Sequence, residues 1–415
     1  MIERPRAYVV PMVIRLIAFG LVACATPRPA TAQAPMPITR EEALAAALAA
    51  GPRLAVARAD SGAAAAGVVL AREFANPVVG FQYTGDTPRH HYTFDLPLDL
   101  PWLRTARVGS ALAGRDAVLH RYAFERESVT YDADTTYTRA LTAAARARLS
   151  IRSAGDADSL LILAKLRRDA GDASELDVQL ALVSAGQLAN AAAADSLEAT
   201  SALLAVQATM GLPSSTPTIS LADTLEAGVA PELMPAASPL LVLAAESQVL
   251  AAERALSFER RSLFTAPSLS LGYDSHDPGG TGGKVLPMIG FGLHVPLFNQ
   301  NRGAIRLATA QRDRAQAELA MARIETGIAR SRAERGLAVA RERLQRSGRL
   351  VGAANRVAAL SLLAYQEGAA ALPSVLEAQR TARAALTQYF EDLAATRNAA
   401  GLLRLLTLTG GRTDR

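Results

Sequence analysis

A mainly helical fold with a small antiparallel β part, laid out twice along the chain, is what the sequence predicts. Three observations carry it. Proline is absent for about 110 residues between Pro101 and Pro213 and for about 75 between Pro296 and Pro373, where ordinary usage would place several. Proline instead gathers around two short runs of alternating apolar and small or polar residues, Asn76 to Pro101 and Pro267 to Pro296. A glycine-centred segment occurs twice: laying Gly368 of AYQEGAAALPSVLEAQ on Gly171 of KLRRDAGDASELDVQLA puts Val375 on Val178 and Ala378 on Ala181 without a gap.

The proline-free stretches read as long helices, because proline inside a helix costs about 3 kcal/mol. One from about Arg104 to Ala170 would measure roughly 100 Å at 1.5 Å per residue, longer than a compact domain is wide. Half of the 415 residues are hydrophobic but only 5% are aromatic, so much of the apolar share is alanine, which suits closely packed helices. The opening segment ITREEALAAALAAGPRLAVARA has Thr39 placed as an N-cap, with Glu41 and Glu42 in the first turn.

Each proline-rich region reads as a hairpin. Val79, Phe81 and Tyr83 alternate with Val78, Gly80 and Gln82, and Tyr92, Phe94, Leu96 and Leu98 alternate with His91, Thr93, Asp95 and Pro97. In the second region Leu269, Leu271 and Tyr273 share a face, and so do Ile289, Phe291, Leu293, Val295 and Leu297. The chain therefore divides into a signal segment (1–34), a first repeat (35–212, strands about 76–98), a junction rich in Pro, Ser and Thr (213–238), a second repeat (239–410, strands about 267–297) and a tail (411–415).

The first residues have the layout of an export signal. Arg4, Arg6 and Arg15 precede a short apolar run, Leu16 to Ala25, too short to span a bilayer. Two endings remain open: Leu21-Val22-Ala23-Cys24 would acylate Cys24, and Ala30-Thr31-Ala32 would be cut before Gln33. Cys24 is the sole cysteine, so under either ending no free thiol and no intrachain disulfide is expected. The net charge of +5 is spread among acids along the helices, without the clustered basic face and aromatic platforms of a nucleic-acid binder.

Four strands cannot close a barrel, and an open sheet edge is not tolerated in lipid. Three chains would supply twelve strands, an even number suited to an outer-membrane barrel, with Tyr83, Tyr92, Tyr273 and Trp102 near the interfaces. At this point ITREEALAAALAAGPRL, NPVVGFQY, VPLFNQNRGAIRLATAQRDRA and the doubled AYQEGAAALPSVLEAQR segment resemble the TolC-like outer-membrane factors, closest to the heavy-metal or cation efflux branch, over nearly all of the chain after the signal. The resemblance implies a homotrimer: a twelve-stranded barrel continued by an α-barrel of tandem-duplicated long-helix hairpins. It also implies a passive exit duct working with a periplasmic adaptor (membrane fusion protein) and an inner-membrane pump of the resistance-nodulation-division type. The rival expectations are the outer-membrane component of type I protein secretion, and a periplasmic coiled-coil adaptor or scaffold.

By the same resemblance the helices reverse at the periplasmic tip. Gly171 and Gly368 supply the backbone freedom there, with Asp172 and Ala369 beside them facing the adaptor. Asp177 and Glu377 fall on acids that line the aperture, Tyr365 on a tyrosine that holds it shut, and Ser374 where an acid often stands; Ala370 replaces a gating arginine. Rings of carboxylates attract cations, but the same acids also suit the first turn of a helix, and both readings stay open. Glu175 reads as solvated or adaptor-facing.

His90-His91 reads as a polar turn, since neighbouring strand side chains point to opposite faces and cannot share one ion. His294 reads as a lumen residue level with Asp95, and Ser275 to Lys284 as an external loop without the strand-to-helix context of a phosphate site. No cofactor, metal site or catalytic constellation is expected.

Overall fold

The computed structural model describes residues 35–86, 88–228, 238–263, 266–275, 285–293 and 295–408. The signal segment with Cys24, the 276–284 loop, His294 and the tail lie outside the described residues.

The first repeat opens with strand β1 (Met36–Ile38) and helix α1 (Arg40–Ala50), followed by α2 (Pro52–Arg72). Thr39 caps α1 in a capping box: its backbone N–H donates to Glu42 Oε2 at 2.8 Å, and Thr39 Oγ1 accepts from the Glu42 N–H at 3.3 Å. The expected single opening helix breaks at Gly51, which ends α1 and starts α2. A Cβ there would lie 2.2 Å from the Ala47 carbonyl oxygen, and Pro52 begins the next helix.

Strands β2 (Val78–Tyr83) and β3 (His90–Pro97) lead into α3 (Pro101–Asp169), which reverses into α4 (Glu175–Thr209). After β4 (Ile219–Leu221) the pattern recurs as α5 (Leu240–Arg261), β5 (Ser268–Ser275), β6 (Val285–Gly292), α6 (Arg302–Gln366) and α7 (Leu372–Thr407). At 69 and 65 residues, α3 and α6 each extend about 100 Å.

The four long strands form one antiparallel sheet in the order β2-β3-β5-β6, so the two hairpins meet along β3 and β5. The helices beneath follow the same order: α2 packs on α3, α3 on α5 and α5 on α6. One sheet face carries the rows Val79-Phe94-Leu271-Ile289, Phe81-Tyr92-Tyr273-Pro287 and Leu96-Leu269-Phe291. The other carries Gln82-His91-Asp274-Leu286, Gly80-Thr93-Gly272-Met288 and Val78-Asp95-Ser270-Gly290. Val79, Phe81, Ile289 and Phe291 are all exposed on the apolar face.

Two expectations about the sheet need correction. The alternation predicts β6 over Ile289–Leu297, but the strand runs Val285–Gly292, its last residue pairing with Ser268, the first residue of β5. The alternation was read on the right face but too far along the chain. His90 and His91 lie in β3 and not in a turn; His91 Nδ1 contacts Asp274 Oδ1 at 2.6 Å across the strand. The junction also holds an element that was not anticipated, β4, paired in parallel with β1. Strands of three residues are too short to show a period, and this pair joins segments far apart in sequence.

No single core fills the molecule. Small clusters stud the helices, and alanines such as Ala113, Ala117 and Ala251 let α3 and α5 approach closely. The largest cluster surrounds Tyr137 on α3, which is 0% exposed. Its hydroxyl donates to the Ile38 carbonyl at 2.8 Å and to Asp223 at 2.9 Å, and the Arg40 N–H donates to the same carboxylate at 2.6 Å. The Arg40 guanidinium binds Asp134, which Arg397 of α7 also reaches at 3.2 Å. This node joins β1, α1, α3, α7 and the segment after β4.

Burial and the hydrogen bond to Asp223 push the Tyr137 phenol up to about 12. Because the folded-state value lies above the ordinary value of about 10, the contribution of the neutral phenol is whole below pH 10 and is lost as pH rises towards 12. Tyr137→Phe should lower stability by about 1–3 kcal/mol at neutral pH, since two acceptors each lose one of their donors. It should also abolish the alkaline loss, and both effects can be read from unfolding midpoints across the pH range.

Candidate functional site

The far ends of the two helical hairpins form the best-defined constellation in the molecule. Both turns have one construction. Gly171 (φ 86°) and Gly368 (φ 78°) are left-handed, a conformation that costs other residues roughly 1–2 kcal/mol. Gly171 N–H donates to the Arg168 carbonyl and Asp172 N–H to that of Arg167; Gly368 and Ala369 repeat this towards Tyr365 and Ala364. These paired bonds satisfy carbonyls at the helix end that have no partner within the helix. The residues that coincide when the two segments are superposed also pack alike: Val178 and Val375 are both in one buried cluster, with Leu160, Ala164, Ala181, Tyr365 and Leu372.

The starts of the return helices differ. Ser174 caps α4, and Asp177 closes a capping box by accepting from the Ser174 N–H at 3.1 Å and from its hydroxyl at 2.9 Å. In α7 the corresponding positions are Ala371, which offers no side-chain cap, and Ser374, whose hydroxyl donates to the Ala371 carbonyl at 2.7 Å. Asp177 thus has a local structural partner, the helix-start role that stood beside the pore role in the sequence. The pattern Ser174-x-x-Asp177 carries that signal in the sequence itself.

Glu377 is exposed and gripped through both oxygens by Arg380, at 2.7 and 2.8 Å. Those hydrogen bonds hold its carboxyl below the usual range and raise the guanidinium. A ring of Glu377 side chains would therefore carry compensating cations. Glu175 binds Gln179 and Arg168, which lower its pKa in that order.

Tyr365 is 3% exposed, and its hydroxyl is buried without a hydrogen-bond partner among the described residues. Burial raises its pKa. Arg167, on the other hairpin, places its guanidinium 4.7 Å from the Tyr365 ring centre and donates to the Tyr365 carbonyl. Sequence reasoning missed Arg167 and Arg380. Arg380 stands three residues after an acid on a helix and was legible; Arg167 meets Tyr365 only through the tertiary fold.

At the opposite end, Tyr83, Tyr92 and Tyr273 cluster near the hairpin tips of the sheet, Tyr92 and Tyr273 stacking at 4.7 Å. Trp102 lies at the other end of the strands, in the first turn of α3, and is exposed. On the polar face Ser270 donates to Asp95, so together with His91–Asp274 the seam between the hairpins is stapled at two levels. Among the described residues, no group of three or more His, Cys, Asp or Glu is arranged to hold a metal ion.

No family model matches the chain. The cobalt-zinc-cadmium resistance protein CzcC of Cupriavidus metallidurans is 27% identical over 378 residues, covering 88% of each chain. The CmeC outer membrane channel of Campylobacter jejuni superposes with a TM-score of 0.75 at 15% identity, over 89% of this chain and 85% of that one. A membrane protein from Pseudomonas aeruginosa gives 0.72 at 20% identity, over 88% and 93%. The sheet and the paired long helices are thus the fold of outer-membrane channels.

Two outcomes follow from the tip geometry. Ser174→Ala should loosen the first turn of α4 by about 1 kcal/mol, visible as faster hydrogen exchange at amides 175–178. In single-channel recordings Arg380→Gln should raise preference for cations and Glu377→Gln should lower it; unchanged reversal potentials in both would put this pair off the conduction path.

Proposed function

We infer that this chain, a TolC-like outer-membrane factor, is the exit duct of a tripartite efflux system that carries divalent metal cations. It is a channel and not an enzyme: it sits in the outer membrane with its helical tunnel in the periplasm. Channels of this kind assemble as trimers within tripartite pumps.

The observation that carries this reading is a four-stranded sheet with one exposed apolar face, one small and polar face and two unpaired edges, continuous with helices of about 100 Å. In lipid the edges β2 and β6 must find partners. In a homotrimer, β6 of one copy beside β2 of the next would close twelve strands around a lumen bearing Asp95, Thr93, His91 and Asp274.

The helical tips then reach across the periplasm. Gly171, Asp172, Gly368 and Ala369 form the surface for a periplasmic adaptor, and an inner-membrane pump of the resistance-nodulation-division type supplies the cargo. Asp177, Glu377, Tyr365 and Ser374 stand at the aperture, with Asp177 and Glu377 set in the local contacts described above. The metal assignment follows the relative named for cobalt, zinc and cadmium resistance.

Deleting the gene should lower tolerance to cobalt, zinc and cadmium, and the full chain should restore it from a heat-modifiable band in the outer-membrane fraction. Recovery in the soluble periplasm would reject the channel. Unchanged metal tolerance with lost export of a protein or a drug would reject the cargo and leave the channel standing.

A further inference from the structure

The level where the sheet meets the helices carries cations that the channel reading does not use. α5 ends in Arg260 and Arg261, seven residues before β5 begins at Ser268. Both are exposed, and neither has an ion pair among the described residues. Together with Glu253, Leu256, Ser257 and Arg312 they line a crevice of 410 Å³ between α5 and α6, in which Arg312 is already tied to Asp313 at 2.5 Å. The rim is held in place: Asn301, just before α6, donates to the Glu259 carbonyl at 2.9 Å, to its carboxylate at 3.0 Å and to Ser262 Oγ at 3.1 Å.

The direction of Arg261 follows from the helix period. Ala244, Ala245, Gln248, Ala252 and Ala255 of α5 line a cavity to which α3 and α6 also contribute. Leu250, Arg254, Ser257 and Arg261 recur at spacings of four, three and four residues, so they share the opposite face, turned away from that cavity. Leu250 and Arg254 are exposed there. Large apolar groups gather at the same level: Leu297 is 71% and Phe298 100% exposed, and Trp102 and Phe74 are exposed beside Arg104, whose guanidinium lies 4.0 Å from the Phe74 ring centre.

We propose that Arg260 and Arg261 bind the phosphate of anionic phospholipid headgroups in the inner leaflet, with Leu297 and Phe298 seated among the adjoining acyl chains. The inference rests on the reading of the sheet as a lipid-facing wall. Unpaired guanidinium groups match a phosphodiester in charge and donor geometry. The crevice begins where the apolar rows of the sheet end, which is where headgroups begin. Apolar side chains beside cations anchor a protein at such a boundary.

The test uses the full chain, purified in mild detergent and in nanodiscs containing phosphatidylglycerol or phosphatidylethanolamine, with retained lipid counted by native mass spectrometry. Phosphatidylglycerol should be retained in preference, and Arg260→Gln/Arg261→Gln should lower its retention by roughly fivefold per arginine. Arg260→Lys/Arg261→Lys, which keeps the charge, should retain most of it. Equal retention of both lipids, or no response to the glutamine variant, would overturn the proposal. Competition by millimolar inorganic phosphate as effective as by lipid would show a free-phosphate site and reject a headgroup. Loss of subunit association in the glutamine variant with lipid retention unchanged would assign the arginines to a neighbouring copy. Correct arrival of both variants in the outer-membrane fraction keeps any of these failures separate from a failure of the channel reading.

Discussion

A β-sheet with free edges cannot sit alone in hydrocarbon, and this constraint organises the whole molecule. The sheet is too short in strand number to close on itself, its apolar rows are exposed, and β2 and β6 each leave a line of N–H and C=O groups unpaired among the described residues. Closure needs other copies. Once copies are arranged in a ring, the helices rooted beneath the strands inherit the same circular order, since α2, α3, α5 and α6 stand below β2, β3, β5 and β6. A barrel in lipid and a helical tunnel below it are then one structure continued through two media.

The tunnel needs stiffness over about 100 Å without a globular core. Alanine at the contacts allows close helix approach with little side-chain entropy to lose, and the buried clusters are spaced like rivets along the helices. The node at Tyr137 is the most polar of these. It ties Ile38 and Arg40 to α3 and, through Asp134, to α7 near the other end of the sequence. Its contribution is to tie the two repeats together midway along α3, where the β1–β4 pair packs against Tyr137.

At the tip, local chemistry engages the charges before any pore does. Asp177 is occupied by Ser174, Glu377 by Arg380 and Glu175 by Arg168 and Gln179. A carboxylate with a nearby guanidinium contributes far less field than a lone one, so the field at this end of the helices depends on the pairs and not on a count of acids. The tie from Arg167 to Tyr365 joins the two hairpins within one chain. Any opening that separates α3 from α6 has to break that contact and expose a tyrosine that is otherwise buried.

Local pattern was enough for the long helices, for the faces of the strands, for the left-handed turns at Gly171 and Gly368 and for the cap at Thr39. Each of these is set by period, propensity or backbone sterics over a few neighbouring residues, and Val79, Phe81, Gly171, Gly368 and Thr39 all express such rules. The capping box at Ser174 and Asp177 and the pair of Glu377 with Arg380 were within reach by the same logic. The register of β6, the β1–β4 pair, the partner of Asp274 and the meeting of Arg167 with Tyr365 depended on the tertiary structure. Those contacts join segments far apart in the chain, and which of many compatible partners a strand edge or a guanidinium meets is decided by packing, which no local period encodes.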